Sequence, residues 1–269
     1  MNPKQIWKEL SIPEGKTMFW QAGPLQLWLQ RSGENWLVTE RRLTDDDCED
    51  GSLLIVDTGP PEELGAKSWT STQSFDVIRL FPYLPMSPLV VKMLNPTVVP
   101  PKRNTVFFLT LPLWIELSLE KSPYSWKLAE IPSQVLSRTW VGNNFEGEAG
   151  YALKTSVVSN LEGLNLPPHR VICPFKVIND TEEFLPIDKL CLKPEFLGIY
   201  IKDQSLWTNE MELTFKGEGH ETNIRYLSRP PAAASKAEVL RPAEKKSEAS
   251  FFQRTFSALN VFGADASDD

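Results

Sequence analysis

The sequence feature that most constrains the fold is a strict alternation of apolar residues in the middle of the chain. From Phe107 to Leu119 every second residue is apolar, whereas the positions between them include Thr110 and Glu116. Because successive side chains of a strand point to opposite faces of its sheet, this period of two predicts a β-strand with one buried face. Pro112 has no N–H to donate to a ladder, so it predicts a kink in this strand or its transfer between sheets.

Shorter segments on both sides continue this pattern. Residues 25–40 and 211–226 each contain two alternating segments across a glycine-containing loop, which predicts two β-hairpins. Residues 170–179 predict another strand, and the prolines around residues 89–92 predict a strand there that is either short and at a sheet edge or bounded by bulges. Together these segments predict an all-β fold, namely an antiparallel β-sandwich built as one large unit or as two small packed units.

Composition divides the 269 residues into consecutive segments. They are an N-terminal lead-in (1–16), the first half of the β-sandwich (17–112), its second half (113–228), a disordered linker (229–249), a short amphipathic helix (250–263) and an acidic tail (264–269). The linker is rich in Pro, Ala, Lys and Glu, and it has too few large apolar residues to offset the entropy lost on ordering.

The helix prediction rests on a capping box and on apolar spacing. Ser250 is followed three residues later by Gln253, and the apolar residues at helical spacing are Phe252, Phe256, Leu259 and Phe262. A helix of about a dozen residues is marginal in water, so we expect it to dock. The surface that receives it is its own domain, a partner protein or a membrane. Exchange of the tail between protomers of a homo-oligomer is a further alternative.

Charge and cysteine content restrict the class of protein. The net charge of −7 argues against a general nucleic-acid binder, because phosphate binding needs clustered Lys and Arg. The three cysteines are too few and too scattered for a disulfide framework, which fits reduced thiols. No stretch has the length of a signal peptide core or of a membrane-spanning helix, so we expect a cytoplasmic protein.

Catalytic signatures are absent from the sequence. His169 and Cys173 lie four residues apart, but neither an orienting group nor an oxyanion pocket accompanies them, which favours a buried core thiol. With two histidines and no paired-cysteine knuckle we expect no metal site, and without a glycine-rich phosphate loop we expect no cofactor. The sequence therefore favours binding over catalysis.

The richest polar cluster follows the long alternating segment. Its candidate binding residues are Arg138, Trp140, Asn143, Asn144, Glu146 and Glu148. Two carboxylates beside an aromatic ring suit a carbohydrate-binding or glycoside-hydrolase-like site between Trp140 and Tyr151. Turn chemistry explains the same residues as a hairpin loop, because Gly and Asn accept positive φ and Glu solubilises the tip.

Several motifs resemble those of a prokaryotic, mainly archaeal family known as domain of unknown function 432. They are PMSPLVVK at 85–92, LPLWI at 111–115, IPS at 131–133, LSRTWVG at 136–142 and LWTNE at 206–210. The resemblance covers roughly residues 17–226 and implies no activity, and it adds a membrane channel to the possible partners. Our leading prediction is a non-enzymatic cytoplasmic binding or accessory protein that docks a partner through its C-terminal helix. The alternative is the carbohydrate site.

Overall fold

The structure, a computed structural model, describes residues 6–44, 49–56, 59–71, 75, 77–142, 147–163, 166–217, 222–246 and 251–253. Strands dominate this part of the chain. They are β1 (Glu9–Ser11), β2 (Thr17–Gly23), β3 (Leu25–Ser32), β4 (Asn35–Arg42), β5 (Glu49–Val56), β6 (Ala66–Thr70), β7 (Val77–Tyr83), β8 (Leu89–Val99), β9 (Asn104–Pro112), β10 (Trp114–Lys121), β11 (Tyr124–Pro132), β12 (Ser137–Gly142), β13 (Gly147–Thr155), β14 (Arg170–Asn179), β15 (Leu185–Leu192), β16 (Ile199–Lys202), β17 (Ser205–Thr208), β18 (Met211–Phe215), β19 (Thr222–Tyr226), β20 (Glu238–Arg241) and β21 (Phe251–Gln253). Single-turn 3-10 helices lie at Leu161–Gly163, Pro194–Phe196 and Ala232–Ala234.

Four sheets contain these strands. Sheet 1 has the order β5-β2-β3-β4-β6, sheet 2 the order β1-β7-β10-β11 and sheet 3 the order β12-β13-β8-β15. Sheet 4 has the order β20-β16-β17-β14-β18-β19-β21, and β9 also pairs with β14. The all-β prediction is therefore confirmed. The pairing is mixed, because β8 is parallel to β13 and β14 is parallel to β17 and β18, and an antiparallel sandwich is not confirmed.

The alternating segment supplies the centre of the core. Its apolar residues are all at most 5% exposed: Phe107, Leu109, Leu111, Leu113, Ile115, Leu117 and Leu119. Pro112 is the last residue of β9, which pairs with β14 in sheet 4, whereas β10 begins at Trp114 and pairs with β7 and β11 in sheet 2. The predicted transfer between sheets at Pro112 is thus confirmed.

The two predicted halves of the chain share their sheets. Strand pairs β7–β10, β8–β13, β8–β15 and β9–β14 all join residues before Pro112 to residues after it. The lead-in also belongs to this structure, since β1 pairs with β7 and both Ile6 and Ile12 are buried. One apolar cluster extends through residues of both halves.

Strand β8 contradicts the short edge strand predicted at residues 89–92 and agrees with the alternative, a strand bounded by bulges, because the register with β15 shifts after Lys92. It runs over 11 residues and lies between β13 and β15. Pro96 is tolerated because the register with β15 shifts between the pairs Ile187↔Thr97 and Lys189↔Lys92, so Pro96 lies in the unpaired stretch between them. The predicted hairpins at residues 25–40 and 211–226 are confirmed as β3–β4 and β18–β19.

The segment predicted as a disordered linker is ordered over residues 229–246. Strand β20 pairs with β16, and Lys245 N–H donates to the carbonyl of Glu195 at 2.8 Å. Arg241 adds an ion pair to Glu116 of sheet 2 at 3.0 Å. Composition missed this arrangement because backbone pairing and ion pairs hold the segment, whereas the prediction counted only large apolar side chains. Residues 247–250 lie outside the described residues.

The predicted helix over residues 250–263 is not supported. Phe251–Gln253 forms β21, which pairs with β19, so Phe252 belongs to a sheet. An open strand edge offers ladder hydrogen bonds that an isolated short helix lacks, which explains the difference. The other predicted docking residues, Phe256, Leu259 and Phe262, lie outside the described residues, as does the acidic tail at 264–269.

Candidate functional site

The β12–β13 hairpin carries the candidate site. Arg138 pairs in register with Tyr151, and Trp140 pairs with Ala149, so these side chains share one face of sheet 3. Tyr151 also pairs with the buried Leu89 of β8, which shows that this face continues into the core. Arg138 is exposed and Trp140 is 54% exposed, so the outer part of this face is open to solvent.

A glycine pair closes the described end of the hairpin and fixes the tryptophan. Gly142 pairs with Gly147 and has a φ of 118°, a conformation that favours glycine. A Cβ atom on Gly147 would overlap the indole of Trp140, so the ring lies directly over the backbone of residue 147. The indole is therefore in close contact with the backbone at Gly147.

The base of the hairpin is firmly attached to the molecule. The Tyr151 ring packs against Trp114 with centroids 5.5 Å apart, and Tyr151 N–H donates to the carbonyl of Pro88 at 2.9 Å. Gly150 also packs closely against Pro88, so β13 approaches this segment through its backbone. These contacts attach β13 to Trp114 and Pro88, and β12 is attached through its pairing with β13.

The structure separates part of the predicted polar cluster. Glu148 pairs with Val141, so it projects from the face opposite to that of Trp140 and Arg138. The remaining predicted binding residues, Asn143, Asn144 and Glu146, lie outside the described residues. The described geometry thus unites Arg138 with Trp140 and places Glu148 away from them.

Strand β12 lies at the edge of sheet 3 and pairs there with β13. An edge strand leaves a row of N–H and C=O groups for another strand, and proteins often protect such edges with charges. Arg138 is the single charged residue among the six of β12. By contrast, the edge strand β11 carries an ion pair between Lys127 and Glu130 at 2.7 Å. The edge of β12 is therefore the less protected of the two.

Sequence reasoning missed a buried polar junction where β9, β11 and β14 meet. Leu113 N–H donates to the His169 carbonyl at 2.8 Å, and Ser133 N–H donates to the Leu113 carbonyl at 3.0 Å. Arg170 donates from Nε to Thr110 Oγ1 at 2.9 Å and from a terminal nitrogen to Gln134 Oε1 at 3.1 Å. The Ile-Pro-Ser motif and the residues around His169 were visible in the sequence, but no local pattern shows that they meet.

His169 and Cys173 are both structural. Burial, together with the charge of Arg170, lowers the pKa of His169 to about 4. Burial raises the pKa of Cys173 to about 12, and its thiol is 0% exposed. A neutral imidazole and a protonated, inaccessible thiol do not form a nucleophile and its base. The interpretation of Cys173 as a core thiol agrees with this geometry.

The described residues contain no group of three or more His, Cys, Asp and Glu side chains arranged to hold a metal ion. Among the helices that the structure describes, none is long and apolar enough to cross a membrane.

Comparison with protein-family models matches residues 6–261 to the family described as "Protein of unknown function (DUF432)". The match extends beyond the range of about 17–226 over which motifs were recognised, and it includes the C-terminal segment through β20 and β21. No curated protein and no solved structure matches the chain.

Proposed function

Because this chain belongs to the DUF432 family, whose description assigns no activity, we propose a function from its geometry: a non-catalytic module that binds an extended segment of a partner protein along β12. The observation that carries the proposal is an open edge strand bearing a tryptophan that is 54% exposed. In this mode of recognition the main-chain hydrogen bonds supply affinity, and alternate side chains supply specificity.

Arg138 and Trp140 determine which side chains the partner segment needs. Tryptophan and arginine dominate the energetics of protein interfaces, and here they lie two residues apart on the same face of β12. A strand added to this edge would place side chains opposite them at the same spacing of two. The matching segment therefore has an apolar residue to cover Trp140 and, two positions away, a carboxylate to pair with Arg138.

The cytoplasmic location and the membrane-channel partner remain predictions that this proposal accommodates. Cys173 and Cys191 are buried and form no disulfide within the described part of the chain, which supports a reducing compartment. The carbohydrate alternative has less support, because a glycosidase needs its carboxylates around the same bound sugar as its stacking ring. Glu148 lies on the opposite face of the sheet from Trp140.

A display library of random heptapeptides, with the purified full chain as bait, tests the proposal. Selected peptides are then titrated against Trp140→Ala, Arg138→Glu and a matched control, Trp126→Ala. Trp126 is 40% exposed on the edge strand β11 and packs against Phe75. We expect Trp140→Ala to weaken binding at least about tenfold and Trp126→Ala to leave it within about twofold.

Amide hydrogen exchange supplies the second readout. Binding along the edge is expected to slow exchange within residues 137–142, because some of their N–H groups gain a partner. Peptides whose affinity does not depend on Trp140, or a library that yields no binder, would overturn the proposal. A parallel titration with oligosaccharides tests the alternative, and binding lost in Trp140→Ala would support the carbohydrate site instead.

A further inference from the structure

An apolar patch lies on the outer face of sheet 3, on strands β8 and β15. Val98 and Pro186 are register partners, so their side chains project on the same side, and both are exposed. Their chain neighbours Val99 and Leu185 are buried, which identifies this side as the outer face. Phe184 is 68% exposed and precedes Pro186 by two residues.

Asn179 fixes the position of this patch in the fold. Its amide nitrogen donates to the carbonyls of Val99 at 3.0 Å, Pro100 at 3.1 Å and Glu183 at 2.7 Å. These bonds tie both sides of the patch to the C-terminal end of β14. The patch therefore lies beside that end of sheet 4.

The C-terminal segment of the chain leaves sheet 4 at the same end. Asn179 pairs with Phe215 of β18, and Asp180 N–H donates to the Phe215 carbonyl at 2.9 Å. Strand β19 follows β18, and Thr222 at its start pairs with Gln253, the last residue of β21. Asn179 on β14 and Gln253 on β21 are separated by three spacings between neighbouring strands. At about 4.8 Å for each spacing, the two residues lie roughly 14 Å apart across the sheet.

The sequence beyond Gln253 has the length and the apolar residues needed to reach and cover the patch. Residues 254–262 include Phe256, Leu259 and Phe262. At about 3.3 Å per residue, they span up to roughly 30 Å when extended. We propose that residues 254–262 fold back on the same molecule and cover the apolar patch formed by Val98, Phe184 and Pro186. This contact is separate from the edge of β12 and does not depend on the function proposed there.

Thiol labelling in the full chain tests this contact. Phe184→Cys and, separately, Val98→Cys are made in a Cys48→Ser background, since Cys173 and Cys191 are buried. Val135→Cys is the matched control, because Val135 is 66% exposed and lies next to Gln134, which binds Arg170 at the opposite end of β14. Each variant is labelled with a maleimide in two forms of the chain. One form keeps the native residues 254–262, and in the other (the Ser form) Phe256, Leu259 and Phe262 are replaced by Ser.

With the native residues 254–262 we expect labelling at positions 184 and 98 to be at least about fivefold slower than in the Ser form, because the contact shields both thiols. Labelling at position 135 is expected to proceed at the same rate in both forms of the chain. Equal rates at both patch positions would overturn the proposal. Protection that increases with protein concentration would also overturn it, because the covering segment would then come from a second copy of the chain.

Discussion

Gly23 of sheet 1 contacts His169, the residue before β14, and this contact leaves no room for a side chain at position 23. Gly23 has a φ of 57°, and a Cβ atom there would overlap the imidazole of His169. We expect Gly23→Ala to lower the free energy of unfolding by about 3 kcal/mol, since it combines left-handed strain with overpacking. Urea unfolding followed by tryptophan fluorescence measures this change.

Gly33 provides the matched control for Gly23. It has a φ of 60°, but nothing lies within 4 Å of a Cβ atom at this position. Gly33→Ala is therefore expected to cost about 1 kcal/mol, the contribution of backbone strain alone. A loss of the same size in both variants would show that the His169 contact contributes nothing.

Acid is expected to destabilise the fold through His169. Its Nδ1 atom is buried without a hydrogen-bond partner among the described residues, and burial lowers its pKa to about 4. The unfolded chain binds a proton near pH 6.5, so stability falls as the pH drops from about 6.5 and levels off below about 4. Between pH 7 and 4.5 the loss should be about 2 kcal/mol greater in the wild type than in His169→Gln. Urea titrations at both pH values measure this difference, and equal losses would contradict it.

At the scale of a single structural element, Arg241 holds strand β20 against sheet 2. The guanidinium contacts Glu116 at 3.0 Å and Glu244 at 2.8 Å, and it lies 4.5 Å from the centre of the Tyr83 ring. Glu116 is only 9% exposed, so removing its partner would leave a buried charge. We expect Arg241→Ala to cost about 3 kcal/mol and to accelerate amide exchange in residues 238–246.

The ion pair of Lys102 with Asp180 is the control for Arg241. Its two side chains are 52% and 54% exposed, so Lys102→Ala is expected to cost less than about 1 kcal/mol. If Arg241→Ala were equally mild and left exchange in β20 unchanged, backbone pairing alone would hold this strand.

Local pattern predicted the strands but not their partners. The period of two predicted the buried face of β9 and β10, and the missing N–H of Pro112 predicted a kink or a transfer between sheets, of which the structure shows the transfer. The face of Glu148 relative to Trp140 depends on the pairing register of β12 with β13, which no local pattern shows. The ion pair between Arg241 and Glu116 joins residues 125 positions apart, so no local pattern could reveal it.

At the scale of the whole molecule, the two ends of the chain complete sheets formed by its middle. Near the N-terminus, β1 covers the edge of β7, and near the C-terminus β20 and β21 cover the edges of β16 and β19. The family match over residues 6–261 includes all three strands. The C-terminal segment is therefore part of the folded unit, and a boundary at Ser228 would divide it.

Truncation distinguishes a folded C-terminal segment from a dispensable one. A chain ending at Ser228 loses β20 and β21 and leaves Glu116 buried without Arg241, so we expect its free energy of unfolding to fall by at least about 4 kcal/mol. A chain ending at Gln253 keeps both strands and loses only the proposed contact of residues 254–262 with the apolar patch, so we expect a smaller loss of about 1 to 2 kcal/mol. Urea unfolding, followed by fluorescence and circular dichroism, compares the three chains.

Adding Glu116→Leu to the chain that ends at Ser228 should recover part of the loss in the free energy of unfolding, because this substitution removes the unpaired buried charge. If both truncated chains were as stable as the full one, residues 229–246 would lie on the surface without contributing to the fold.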